Sequence, residues 1–338
     1  MASTTITGAI TSATTSSTTA GAVLQNSSLV NTGNLKADQV VSTGSTGGQF
    51  QLSSVSGGAI ITNTTDAVTL VGGSGNSQLL VANDTKGTIL QAGTGTGQTL
   101  VGGSGGQLLG TSATGNGSAT IFGGTGSDTV VAAAGNNVLT AGAGNNVILS
   151  SGGNNQIWAA GNDTVYAAGG NATIGAGAGN STILVTQGNN LIAGGQGNVT
   201  IAAAAGNNTV FGGSGNALIA GGAGGDLLIG NTNKAGTAVI GGFGGNDTLV
   251  GGIGNDSLFG GDGNDIFVFS TVFGGGKHVI GDFKAGTDLI AVQGYGLTAA
   301  GVAAKVTVTG GNSVLSLSDG TQITVAGVTT LTSSNFAV

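Results

Sequence analysis

The sequence predicts an all-β chain, a parallel β-roll or β-solenoid of nonapeptide repeats with β-rich terminal caps. Two observations predict it. A unit of the form G-G-x-G-x-D-x-U-x, with U apolar, recurs as GGTGSDTVV (123–131), GGAGGDLLI (221–229), GGIGNDSLF (251–259) and GGDGNDIFV (260–268). Gly makes up 72 of 338 residues, yet 39% of the chain is hydrophobic, so the Gly content belongs to a packed repeat and not to a disordered linker.

Walking the register outward in nines places seventeen copies between residues 114 and 268. One copy has eight residues (159–166), and a three-residue insertion at 230–232 precedes NKAGTAVIG. Position eight tests the register. It reads Ile121, Val130, Leu139, Ile148, Ile157, Val165, Ile174, Ile183, Ile192, Ile201, Val210, Ile219, Leu228, Ile240, Leu249, Leu258 and Phe267. An unbroken apolar column rich in β-branched residues is an inward-facing ladder of strand formers. Position four is Gly throughout, which predicts a turn residue with positive φ. Six residues of turn and three of strand make half a coil, so two repeats close about 18 residues, and equivalent strands stack in parallel.

The segments GGSGNSQLL (72–80) and GGSGGQLLG (102–110) are degenerate copies. Residues 1–70 are Thr/Ser-rich and predict irregular strands, with 1–20 disordered. Residues 71–275 form the roll, and 276–338 form a C-terminal β cap. There SVLSLSDGTQITV carries an Asp-Gly turn between alternating segments, a hairpin signal.

Composition excludes several function classes. Net charge is −7, with no Arg and no basic patch to neutralise phosphates, which argues against nucleic acid. There is no Cys and no run of about 18 apolar residues for a membrane span. The start of the chain lacks a basic segment followed by an apolar core, so a Sec-type signal is not expected. His278 is the only His, and neither H-E-x-x-H nor G-x-S-x-G occurs. The chain is therefore not expected to be an enzyme.

All 13 acidic residues are Asp, and seven lie between Asp226 and Asp288. A Ca²⁺ ion takes six to eight oxygens from carboxylates and backbone carbonyls, which stacked Gly-rich turns supply. Such a site needs carboxylates one coil apart. Asp247 and Asp265 are 18 apart, and Asp226 precedes Asp247 by 21, which is 18 plus the insertion. Asp256 faces the other side. Asp128, Asn146 and Asp163 form a partial ladder. Elsewhere position six is Asn, Ala, Ser or Val, so calcium should concentrate in the C-terminal third, and the middle should stack through Asn hydrogen bonds. The alternative for Asp128 and Asp163 is a plain turn residue bonding its own backbone.

These repeats resemble the RTX, or haemolysin-type calcium-binding repeat, family of secreted proteins. The segment from GGDGNDIFVFS to IGDFKAGTDLI is similar to the way such repeats end in serralysin-type proteases. The resemblance covers about residues 114–338 and carries no recognisable catalytic domain. It implies Ca²⁺ held by Gly251, Gly252, Gly254 and Asp256, and likewise by Gly260, Gly261, Gly263 and Asp265. In the turn before, it implies Gly245 and Asp247, with Phe243 standing where the second Gly is expected. Asp282 and Asp288 match acidic positions after the repeats, with turn residues as the alternative. The resemblance also implies export by a type I ABC transporter, through a C-terminal signal that LTSSNFAV resembles, and an extracellular or cell-surface location.

The functional expectation is a secreted calcium-binding structural protein that self-assembles into a surface layer, fibre or matrix, with other copies of itself as partners. An adhesin or ice- or surface-binding roll is the alternative, with cell-surface polysaccharide as a partner. The Thr residues at position seven (Thr129, Thr164, Thr173, Thr182, Thr200, Thr209 and Thr248) are interrupted too often to favour it. An RTX-associated secreted enzyme is the third reading.

Overall fold

The structure is a computed structural model that describes residues 3–5, 39–44, 49–52, 56–64, 66–112, 117–233 and 236–338. It is an all-β parallel solenoid that divides into two compact units, residues 1–170 and 171–338. Most of the expected disordered segment 1–20 lies outside the described residues.

In the first unit, alternate strands pair in parallel to form two sheets. One runs through Ala59–Thr64, Leu79–Ala82, Gln98–Val101, Ala119–Phe122, Val138–Gly142 and Gln156–Ala159. The other runs through Thr69–Val71, Ile89–Gln91, Leu108–Gly110, Thr129–Ala132, Val147–Ser150 and Thr164–Ala167. From Thr120 onward on the first sheet, rungs lie 18 residues apart, as Thr120↔Val138 and Val138↔Gln156.

The earlier coils differ from the sequence reading. Gln39 pairs with Ala59 and Ala59 with Leu79, so these coils are 20 residues long. The inner column there is Ile60, Leu70, Leu80, Leu90 and Leu100, each 0% exposed and ten residues from the next. Residue 70 is therefore no boundary among the described residues. The parallel ladder already runs from Gln39–Gly44 into Ala59–Thr64, with a longer coil.

In the second unit the same alternation holds. Thr173–Ala176, Leu191–Ala193, Thr209–Gly213, Leu227–Asn231, Thr248–Gly252, Ile266–Ser270 and Leu289–Gln293 stack on one side. Ser181–Val185, Val199–Ala203, Ala217–Ala223, Ala238–Gly244, Ser257–Asp262 and Lys277–Ile280 stack on the other. The C-terminal end is closed. Lys277–Ile280 pairs with Gln322–Val325, which belongs to an antiparallel meander with Asn312–Ser316 and Val306–Thr309. The expected Asp-Gly hairpin is the connection between Asn312–Ser316 and Gln322–Val325. Phe336–Ala337 pairs with Leu289–Gln293, and a short helix, Ala299–Ala303, which the sequence reading lacked, packs nearby.

Every residue of the position-eight column is at most 1% exposed. Burying one such side chain contributes about 1.5–3 kcal/mol. Position-six side chains are buried beside the column, whereas positions seven and nine face out, with Val250 the buried exception. Trp158, Tyr166, Phe211 and Phe259 stand 37–48% exposed.

Position-four Gly is explained differently from expectation. Gly135, Gly144, Gly188, Gly224, Gly245 and Gly263 do have positive φ, but Gly197, Gly215 and Gly254 do not. At these three, a Cβ would overlap the carbonyl oxygen of the position-four Gly one coil earlier. Close stacking of turn on turn is the constraint that holds throughout.

This packing sets a contrast. Leu249→Ala should cost about 2–5 kcal/mol, whereas Leu191→Ala, at a site 45% exposed, should cost no more than about 0.5 kcal/mol. Urea unfolding of both variants in calcium buffer measures the difference.

Candidate metal centre

The site is built from one repeated contact. The Oδ1 atom of each position-six Asp or Asn accepts the backbone N–H of the position-six residue one coil earlier. In the second unit this chain runs Ala172 N–H to Asn190, Asn190 to Asn208, Asn208 to Asp226, Asp226 to Asp247 and Asp247 to Asp265, at 2.6–3.1 Å. Asp265 N–H continues it to Asp288 at 3.2 Å. On the other side Ala238 N–H donates to Asp256 Oδ1 at 2.7 Å. In the first unit the chain is Gln107 to Asp128, Asp128 to Asn146 and Asn146 to Asp163.

The second side-chain atom separates Asn from Asp. Asn Nδ2 donates into the carbonyls of its own turn: Asn137 to Ala134 and Gly135, Asn155 to Gly152 and Gly153, Asn190 to Gln187 and Gly188, Asn208 to Gly206. An ionised Asp has no proton to donate. The Oδ2 atoms of Asp128, Asp226, Asp247, Asp256 and Asp265 are buried without a hydrogen-bond partner.

An orphaned buried carboxylate oxygen is costly. Burial pushes the carboxyls of Asp128 and Asp226 up to about 6, against the lowering pull of N–H bonds from Gln107 and Asn208. Burial raises Asp247 to about 6 as well, with the charges of Asp226 and Asp265 adding to it. Asp265 is raised by burial, and Asp288 and Asp282 add to the rise. Among the described residues no three carboxylate or imidazole groups converge on a point. An ion here would rest on stacked carboxylates completed by turn carbonyls, an all-oxygen set that suits Ca²⁺ and not a thiophilic metal.

The sequence candidates divide on this geometry. Asp226, Asp247 and Asp265 lie on one ladder. Gly245 and Gly263 hold left-handed turns beside it, and Gly252 and Gly261, at φ 95°, shape position two. Phe243 takes the same left-handed angle, φ 75°, although it is not Gly. Gly251 and Gly260 stand at position one over Asp256 and Asp265, and Gly254 stacks on Gly236.

Three carboxylates are already satisfied by backbone amides. Asp163 accepts Asn146 N–H on Oδ1 and Gly161 N–H on Oδ2. Asp282 clasps the N–H groups of Gly260 and Gly261, both at 2.9 Å. Asp288 takes those of Asp265 and Lys284. They serve as turn and cap acceptors in this geometry.

Sequence reasoning missed two ladder members. His278 occupies the position-six slot after Asp256, since Ser257 pairs with Val279. Its Nδ1 lies 3.1 Å from Asp256 Oδ2, within ion-pair reach but off hydrogen-bond alignment. The run H-V-I, a polar residue before two apolar ones after a Gly cluster, was the available signal. Gln107 holds position six of the degenerate copy 102–110, and its Oε1 and Nε2 are buried without partners.

Two outcomes follow for the calcium-free protein. Carboxyls whose pKa is raised on folding stabilise the fold while protonated, below their unfolded value near 4, and that contribution is lost as pH rises through about 6. Chelated protein should therefore melt higher at pH 5 than at pH 7.5, as thermal denaturation followed by circular dichroism will report, and calcium should reverse the order. Asp247→Asn supplies the missing donor, so it should raise the melting temperature of chelated protein at pH 7.5 and shrink the increment that calcium adds.

Comparison with known proteins agrees with this chemistry. The RTX calcium-binding nonapeptide repeat matches four times, at residues 114–158, 159–183, 185–219 and 241–270. No curated protein matches the chain. Among the solved structures that match is the extracellular lipase LipA from Serratia marcescens. The identity is 19% over 57% of this chain, with a TM-score of 0.24. The match spans 40% of that lipase's length. Asp128, Asp163, Asp247, Asp256 and Asp265 thus lie within matched RTX calcium-binding nonapeptide repeats, Asp226 lies between the third and fourth matches, and calcium is the ion those repeats bind.

Proposed function

We propose that this chain is an exported structural protein whose roll is fastened by extracellular Ca²⁺ and then self-associates into a surface layer, fibre or matrix. Export would follow the type I route associated with RTX repeats, through an ABC transporter. Inside a cell, where free calcium is scarce, the carboxylates of Asp226, Asp247 and Asp265 repel and their turns stay open. Millimolar calcium outside supplies the missing counter-charge, because metal binding and folding are one equilibrium. No helix among the described residues is long and apolar enough to cross a membrane.

The observation that carries the assembly reading is the outer surface of the second unit's sheets. None of the nine strands from Thr173–Ala176 to Thr248–Gly252 contains a charged residue. Leu191, Phe211 and Leu227 stand 36–45% exposed on one sheet, and Leu218 and Val239 stand 43–51% exposed on the other. Rows of exposed apolar side chains without charges mark association surfaces. The C-terminal edge of the roll is covered by the antiparallel meander, so contacts would form face to face and not by strand addition at that end.

A second reading has one observation in its favour. A shallow groove of about 610 Å³ on the second unit has Asn180, Asn198, Asn216 and Thr200 in its lining, beside the apolar Leu218 and Val239. Such amide and hydroxyl rows suit a cell-surface polysaccharide.

Electron microscopy and light scattering of the full chain, in millimolar calcium and in chelator, test the proposal. Ordered assemblies with calcium that dissolve in chelator are expected, and Leu218→Asp with Val239→Asp should weaken them. Monodisperse monomers in both conditions would sink it.

A further inference from the structure

Position one of each repeat varies with position six. In the five nine-residue copies with Asp at six (Asp128, Asp226, Asp247, Asp256 and Asp265), position one is Gly. In the five with Asn at six (Asn137, Asn146, Asn155, Asn190 and Asn208), it is Ala132, Ala141, Ser150, Val185 and Ala203. These five side chains are buried, at most 2% exposed.

The geometry gives the reason. In the Asp copies, Oδ2 lies where a position-one Cβ would be. A Cβ on Gly123 would sit 2.6 Å from Asp128 Oδ2, and those on Gly221, Gly242 and Gly260 would sit closer still to their own Asp. In the Asn copies, Nδ2 is drawn toward the carbonyls of its own turn, which frees that space for a side chain. The eight-residue copy confirms the exclusion. It has Ala159 at position one, and there Asp163 turns Oδ2 onto Gly161 N–H instead. Gly194, Gly212 and Gly221 show that Gly also precedes Val, Ala or Asp, so the requirement runs one way: Asp with a free Oδ2 needs Gly.

We propose that the position-one residue decides which turns take up calcium. Gly opens a dry pocket where a carboxylate oxygen has no donor, and a cation must complete it. Ala, Ser or Val closes the pocket, and the position-six amide completes the turn with its own N–H groups. The Asn turns are thus metal-free by construction and hold their coils without calcium. Asp256 is the exception among the Gly/Asp turns, because His278 Nδ1 occupies its pocket, 2.9 Å from where a Gly251 Cβ would stand. The cation-demanding turns are those of Asp128, Asp226, Asp247 and Asp265. This rests on the calcium binding of the repeats and not on the assembly proposal.

Calcium stoichiometry of the full chain by equilibrium dialysis tests the rule, with circular dichroism in calcium as the folding control. Asn208→Asp alone keeps Ala203 over the carboxylate, so the number of bound ions should not change. Asn208→Asp combined with Ala203→Gly extends the ladder of Asp226, Asp247 and Asp265 by one rung and should add one ion. Gly242→Ala should remove one ion. The rule is overturned if the single variant gains an ion as the double does, or if a folded double variant gains none. If the double variant does not fold, Gly242→Ala decides, and an unchanged count in that folded variant contradicts the rule. Wild-type protein that binds no calcium would instead overturn the calcium reading itself.

Discussion

The Asp and Asn turns depend on one repeated hydrogen bond: a buried position-six side-chain oxygen accepting the backbone N–H of the rung before it, a place that a backbone carbonyl takes over for Ser181, Val199 and Ala217. The strands stack through ordinary parallel ladders, and the turns add only scattered backbone bonds, such as Gln196 N–H to Gly177 and Ser214 N–H to Gly195. Their backbone N–H groups enter the interior, where an unpaired donor is costly. A short side chain ending in an oxygen, at a fixed offset from the strand, meets that need. Asp and Asn share this oxygen and differ only in the second atom of the side-chain head. That difference sorts the turns into those that close themselves and those that need an ion.

The rest of the architecture follows from keeping that contact in register. Turns must approach until the carbonyl oxygen of one fills the space a Cβ would take in the next, so Gly is required at position four whether or not φ is positive, as at Gly197 and Gly215. Below each turn one apolar side chain from each strand fills a thin core. The fold tolerates changes of coil length, as in Gln39↔Ala59, Thr120↔Val138 and Leu227↔Thr248, because each insertion is absorbed in the turn while the column stays inside. It tolerates Phe243 at a left-handed turn position for the same reason, since the side chain points outward, 62% exposed.

Much of this was legible in the sequence, because the position-eight column and the 18-residue spacing of Asp247 and Asp265 are linear patterns. The N-terminal coils were not read, because Ile60, Leu70, Leu80, Leu90 and Leu100 repeat every ten residues, and a search in nines slides off them. His278 was set aside as a lone His, since the four extra residues before it hide that it follows Asp256 on the ladder. The fate of Asp163 and Asp282 depends on which backbone N–H groups happen to lie within reach. That is a three-dimensional property, and the motif alone treats all its Asp residues alike. The partnerless Oδ2 atoms likewise became visible only once the turns were stacked.

Hydrogen exchange read by mass spectrometry, with calcium and after chelation, tests the central claim most directly. If Asp turns need an ion and Asn turns complete themselves, chelation will strip protection from the backbone amides around Asp226, Asp247 and Asp265. Those around Asn137 and Asn155 will keep theirs. Uniform loss of protection across both sets of turns, or no loss in either, would contradict the account.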